Sequence, residues 1–222
     1  MTAAVVEAHG LGRVFGHGPN AVVALHDASC QLLAGDAVGL VGPSGSGKST
    51  FLHLLAGIDE PTAGSIVWPL FGGHARENRP GTVGLVFQAG SLMPALDATE
   101  NVAFPLLLAG ESFDAAVSAA RDFLERLGVG AVARHLPEEL SAGQAQRVAV
   151  ARALVAQPAL VLADEPTGQL DHETAEVVVS ALITAAADGA ALVLSTHDER
   201  IATRLARRWV MSDGRLHTEV AA

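Results

Sequence analysis

The stretch from Ala37 to Leu55 constrains this chain most. Ala37-Val38-Gly39-Leu40-Val41 is a continuous apolar run, the pattern of a strand buried on both faces in a parallel sheet. It runs into Gly42-Pro43-Ser44-Gly45-Ser46-Gly47-Lys48-Ser49-Thr50, and a helix is expected from near Lys48 through Leu55. The spacing G-x-x-x-x-G-K-S between a strand and a helix is that of a phosphate-binding loop. Its glycines let backbone N–H groups close around phosphate oxygens, and the helix N-terminus adds a favourable dipole. Lys48 is placed to reach the β- and γ-phosphates, and the Ser49 hydroxyl to ligate magnesium. Lys48 is also the sole lysine among 14 basic residues, the rest being arginine.

Around this unit the sequence alternates. Short strands are expected at Ala3 to Ala8, Val22 to Leu25, Ser29 to Leu33 and Thr82 to Phe87, the last as a second buried strand. Residues 58–81 read as loop with an edge strand. From Leu92 to about Leu140 helical spacing takes over, with Asp97-x-x-Glu100 forming a capping box ahead of a helix to Ala109, and a second helix from Ser112 to Leu127. After Ser141 a helix to about Ala156, a strand at Ala159 to Ala163, a helix from His172 to Ala187, a strand at Ala191 to Ser195 and a short helix from Asp198 follow. Strands near Trp209 and Leu216 close the chain. Such alternation implies an α/β fold: a mostly parallel sheet with helices on both faces, an N-terminal antiparallel β subdomain, and a helical insertion. The expected division is one domain over residues 1–222, with core and β subdomain at 1–91 and 141–222 and the helical subdomain at about 92–140.

The strand Leu160-Val161-Leu162-Ala163 ends in Asp164-Glu165. At the carboxyl end of a parallel strand such side chains face the ligand crevice. Asp164 suits holding magnesium through water, and Glu165 suits orienting or deprotonating an attacking water, a second acid that a hydrolase needs.

Composition excludes several alternatives. At 222 residues, with 50% apolar and 17% charged, the chain can bury a sizeable core. The net charge of −10 argues against a nucleic-acid partner, which needs a basic face. A single cysteine, Cys30, allows no intrachain disulfide and no cysteine-based zinc site, and is expected in the core. No 18-residue apolar run spans a membrane, and the N-terminus does not read as a signal peptide, so a cytoplasmic location is expected.

The remaining motifs carry a resemblance. In order come the phosphate loop, Val86-Phe87-Gln88, Leu140-Ser141-Ala142-Gly143-Gln144-Ala145-Gln146-Arg147, Leu160 through Asp171, and Ser195-Thr196-His197-Asp198. Together they resemble the nucleotide-binding subunit of ATP-binding-cassette (ABC) transporters from about Val5 to Leu216. The resemblance implies an ATPase using ATP and Mg2+. Ser141, Gly143 and Gln144 would meet the γ-phosphate held by a second protomer, so that two ATP molecules join a head-to-tail dimer, expected to be of identical chains. Gln88 would touch magnesium and the attacking water, Asp171 would lie in the loop crossing between protomers, and His197 would contact the γ-phosphate. Phe15, 27 residues before Gly42, would stack on adenine in a chain without tyrosine.

His53 through Gly64 and Val86 through Gly110 further resemble the group that releases lipoproteins or exports macrolides. There, an ATPase dimer at the cytoplasmic face transmits force to an integral membrane permease with four helices and a large external domain. The apolar stretch Leu92 to Leu108 would take a coupling helix. A cell-division ATPase acting on cell-wall hydrolases through a membrane partner, or an import ATPase, shares these motifs. A DNA-handling ATPase and a nucleoside kinase fit less well, the former for charge and length, the latter for the dimer motifs. Three departures stand out. Ala142 replaces the usual second glycine of the signature, Gln169 varies the residue before Leu170-Asp171, and the segment between Trp68 and Thr82 is unusual and expected to be an edge loop away from the chemistry.

Overall fold

The computed structural model describes residues 4–72, 81–88 and 91–219. In chain order the elements are β1 (Ala4–Phe15), β2 (Val22–Leu33), β3 (Ala37–Val41), α1 (Lys48–Leu55), β4 (Ala63–Val67), β5 (Val83–Val86), α2 (Ala98–Leu108) and α3 (Phe113–Arg126). Then follow α4 (Ala142–Leu154), β6 (Leu160–Asp164), α5 (His172–Ala187), β7 (Ala191–Ser195), α6 (Glu199–Ala202), β8 (Arg207–Ser212) and β9 (Arg215–Glu219). A three-stranded antiparallel sheet has the order β2-β1-β4. A six-stranded sheet has the order β5-β6-β7-β3-β8-β9, parallel except for the terminal β8–β9 hairpin.

The N-terminal sheet corrects the expectation of short separate strands. β1 and β2 are each 12 residues long, and register shifts interrupt their ladder between Ala8 and Leu11 and again beyond Leu11. Gly10 and Asp27 take positive φ of 60° and 52° there. Bulges of this kind look like strand ends in a sequence, yet pairing resumes beyond them. β5 also differs from expectation: as an edge strand of the larger sheet it is only half-buried, alternating inward and outward. Residues 73–80, most of the expected edge loop, lie outside the described residues.

The central strands β6 and β7 are buried along their whole length. Alternation divides them between two cores. Val161, Ala163, Leu192 and Leu194 pack with α2, α3, α4 and α5. Leu160, Leu162, Ala191 and Val193 face the other way, towards Phe51, Leu52 and Leu55 of α1, the β1–β2 hairpin and Trp209. Phe51 and Trp209 meet edge to face at 6.2 Å. The sheet thus holds α1 between itself and the smaller sheet, which fixes where the loop before α1 emerges.

The helical block between β5 and α4 is built on its own caps. Asp97 accepts from the Glu100 N–H at 2.8 Å and Glu100 accepts from the Asp97 N–H at 2.9 Å, the reciprocal capping box the sequence implies. Asn101, fully buried, donates its amide to the carbonyls of Met93, Leu96 and Asp97 and accepts from the Met93 N–H. One side chain therefore ties down the loop that enters α2.

Candidate nucleotide site

β3 ends at Val41 and the chain turns sharply through Gly42 to Gly47 into α1. Two glycines are dictated by space. A Cβ on Gly42 would run into the carbonyl oxygen of Met211 in β8, and a Cβ on Gly47, at φ 105°, would run into the carbonyl oxygen of Ala24 in β2. Close approach of two neighbouring strands leaves room for glycine alone. Pro43, Ser44, Gly45 and Ser49 are exposed, and Thr50 half-buried, so the loop presents an open face to solvent.

Lys48 is buried, 6% exposed, and its ammonium donates to the carbonyls of Gly42 at 2.9 Å and Pro43 at 3.1 Å. The buried Ser46 Oγ has no hydrogen-bond partner among the described residues. A buried hydroxyl without a partner is costly unless a ligand completes it. With exposed loop residues and the start of α1 beside it, the loop fits a phosphate chain.

The other expected catalytic residues arrive from the carboxyl ends of β6 and β7. Glu165 lies between the Lys48 ammonium and the His197 imidazole: Oε1 is 3.6 Å from Lys48 Nζ, and Oε2 is 3.4 Å from His197 Nδ1. Its backbone is left-handed, φ 44°, an uncommon conformation for a residue with a side chain and one that concentrates at functional sites. Asp164 and Ser195 stand opposite each other in the β6–β7 ladder. Gln88 comes from the loop after β5. Its Nε2 and Glu165 Oε2 each lie 3.7 Å from the point where a side chain on Gly168 would begin, so both flank that glycine. Lys48, Asp164, Glu165, Gln88 and His197 therefore converge at one end of the sheet.

Ser141, Gly143, Gln144 and Asp171 form a separate group. Ser141 and Gln144 cap α4 reciprocally, at 2.8 and 3.3 Å. Gly143 lies beside Leu170 and Thr174 at ordinary contact distance, and Asp171 caps α5 by accepting from the Thr174 N–H and hydroxyl. These bonds, with the hydroxyl's help, hold the Asp171 carboxyl below its usual range. Phe15 ends β1, paired with Val22 two residues before Ala24. Its ring is 42% exposed and carries the Arg13 guanidinium 4.6 Å from its centroid, with Arg13 held by Asp59 at 2.6 Å.

Three residues contribute that sequence reasoning left without a role. Ser195 Oγ donates to Asp164 at 2.6 Å and accepts from the Glu165 N–H at 2.9 Å. Gln146, buried in α4, donates to the Phe87 carbonyl next to Gln88. Arg152 donates to the carbonyl and hydroxyl of Ser91 just beyond it. Their only sequence signal is polarity at positions that periodicity assigns to the interior. A cavity of about 890 Å³ between α3 and α5 takes in none of the converging residues.

The ABC transporter family pattern matches residues 25–168. The chain is 41% identical, over 225 residues, to the lipoprotein-releasing system ATP-binding protein LolD of Bordetella pertussis, with 98% of this chain and 97% of that protein covered. The LolD of Idiomarina loihiensis is 40% identical, with 99% of both chains covered. Among solved structures, the dimeric post-hydrolysis state of the ATP-binding cassette MJ0796, bound to ADP and Pi, superposes with a TM-score of 0.89 at 32% identity, over 97% of this chain and 98% of that one. The match spans the phosphate loop, Gln88, the α4 signature and the Asp164-Glu165 pair. This chain belongs to the ABC transporter family and is an ATP-binding, ATP-hydrolysing cassette.

Proposed function

We propose that this chain is the ATPase subunit of a lipoprotein-releasing type of exporter, working as a homodimer beneath an integral membrane permease at the cytoplasmic face. One observation carries the dimer: the phosphate loop is exposed at Pro43, Ser44, Gly45 and Ser49 and His197 beside Glu165 is largely exposed, while within a single chain the Ser141 and Gln144 side chains bond to each other's backbone N–H at the start of α4. An exposed phosphate loop and a helix N-terminus of a second protomer are chemically complementary. Head-to-tail pairing brings the α4 N-terminus of one protomer to the γ-phosphate on the other, with Asp171 in the crossing loop. The dimeric state of MJ0796 and the naming of the full-length relatives as parts of a lipoprotein-releasing system support this reading.

In the proposed mechanism the loop from Gly42 to Thr50 wraps the phosphates with its N–H groups, Lys48 neutralises the β–γ bridge, and Phe15 stacks on the base. Glu165, held between Lys48 and His197, takes a proton from the attacking water, and His197 holds the γ-phosphate geometry. The oxygen donors suit magnesium: the Ser49 hydroxyl is exposed, the Gln88 amide is near, and Asp164 is a carboxylate with one oxygen engaged by Ser195. No group of three or more His, Cys, Asp or Glu that could hold a metal occurs among the described residues, so the phosphates and water would complete the shell. When bound, magnesium supplies charge neutralisation at the phosphates. Residues 92–140 form the unit that meets the permease, through Leu92 and the exposed Leu108.

The test is the Glu165→Gln chain in ATP and magnesium. ATP still binds, hydrolysis falls by orders of magnitude, and size-exclusion chromatography shows a dimer. A monomer in excess nucleotide overturns the shared site.

A further inference from the structure

We infer that Ser195 is a positioning residue for hydrolysis, locking the two acids of the site into one geometry from the neighbouring strand. The inference rests on the catalytic reading of Asp164 and Glu165 given above. Ser195 is the last residue of β7, fully buried, and paired in register with Asp164 on one side and Leu40 on the other. Its place is therefore the junction of the three strands whose ends carry the phosphate loop, the acids and His197. A chain that buries β7 throughout in apolar residues, Ala191-Leu192-Val193-Leu194, ends it with a hydroxyl.

That hydroxyl uses both of its capacities on neighbouring residues. Its proton goes to Asp164 Oδ1 at 2.6 Å, the short distance of a hydrogen bond to a charged acceptor. Its oxygen accepts the Glu165 N–H at 2.9 Å. The first bond holds the Asp164 carboxylate by its Oδ1. The second satisfies a backbone donor where the chain takes φ 44°, so the left-handed turn that aims Glu165 at Lys48 and His197 is held by the same side chain. Ser195 touches no reacting atom; it acts through its two partners. Partners of this outer kind are typically worth 10–100-fold in activity or metal affinity.

The experiment compares Ser195→Ala and Ser195→Thr with the unaltered chain and with Glu165→Gln. For Ser195→Ala we expect kcat to fall about 10–100-fold. KM for ATP and ATP binding in EDTA should stay close to those of the unaltered chain, while the melting temperature should fall in Ser195→Ala, where two groups lose a partner, and recover in Ser195→Thr. Mn2+ affinity of the ATP complex, read by electron paramagnetic resonance, should weaken by about 10-fold. Ser195→Thr, which keeps the hydroxyl, should recover most of both. Should Ser195→Ala not fold, Ser195→Cys, with a weak donor in the same space, is expected to give an intermediate loss of kcat. Unchanged kcat and Mn2+ affinity in a folded Ser195→Ala or Ser195→Cys chain overturns the inference, as does a loss that Ser195→Thr does not recover. A Glu165→Gln chain that hydrolyses ATP at the normal rate instead overturns the catalytic reading beneath it.

Discussion

The strongest residue-level constraint is charge. Lys48 is the only ammonium side chain, it is buried, and its nearest acceptors are loop carbonyls and Glu165. Lys48→Ala is therefore expected to abolish ATP binding in equilibrium dialysis, since no other basic side chain meets the loop in the described structure; unchanged affinity would remove Lys48 from the site. Phe15 is a subtler case. The Arg13 guanidinium covers part of the ring, and a stacked base is worth about 1–3 kcal/mol. Phe15→Ala should weaken ATP and GTP alike, by about 10-fold, because a ring face does not read base edges; loss confined to ATP would point to recognition by another residue. Cys30 packs beside the second core, and burial pushes its thiol up to about 12, against an opposing pull from the Arg207 guanidinium. The thiolate is the reactive form, so thiol reagents at pH 8 should label the partly buried Cys30 of the native chain far more slowly than that of the unfolded chain. Fast labelling of the native chain would contradict its packing. At this scale the sequence singles out residues that their neighbours in the chain mark, as Lys48 is marked by the glycines before it. Ser195 stayed hidden because its partners stand on the adjacent strand, about 30 positions earlier.

Elements were legible where local chemistry sets their ends. α1, α5 and β7 begin and end where glycine turns, capping acids and apolar runs place them, and the capping boxes at Asp97 and Ser141 form as their spacing implies. The β1–β2 hairpin was not legible, because Gly10 and Asp27 serve bulges inside a continuous ladder rather than its ends. The links between elements were equally silent. Gln146 and Arg152 reach from α4 to Phe87 and Ser91, either side of Gln88, and His53 at the end of α1 stacks edge to face on Phe87 at 5.9 Å. The loop carrying Gln88 is thereby braced by the phosphate-loop helix and the signature helix together. Asn101 braces the far end of the same loop with four hydrogen bonds. Asn101→Ala leaves those buried groups unpaired and should destabilise the chain by about 2–4 kcal/mol in urea unfolding. Magnesium-dependent ATP binding at low temperature should persist, since the phosphate loop is untouched. A loss below about 0.5 kcal/mol would mean water replaces the amide.

At the scale of the whole molecule the question is what closes the open side of the site and what receives the work. No helix among the described residues is long and apolar enough to cross a membrane. The surface proposed to meet a membrane partner is in the helical block, where Leu92, Leu106 and Leu107 are partly buried and Leu108 is 55% exposed. Gln88 flanks Gly168 beside Glu165 and precedes that block, so in the proposed mechanism a partner pressing on the loop beyond Gln88 would disturb the group assigned to the attacking water. The Glu165→Gln chain, arrested with ATP, should therefore retain its partner better than the nucleotide-free chain. Captured from detergent-solubilised membranes of its own host, it is expected to bring down a four-helix permease with an external domain. Charged substitution of Leu108 should reduce that recovery while leaving the ATPase rate of the isolated chain unchanged. A six-helix import permease or a cell-division protein in its place would keep the ATP chemistry and overturn the exporter assignment. Equal recovery with and without ATP would show that the partner does not sense the closed site.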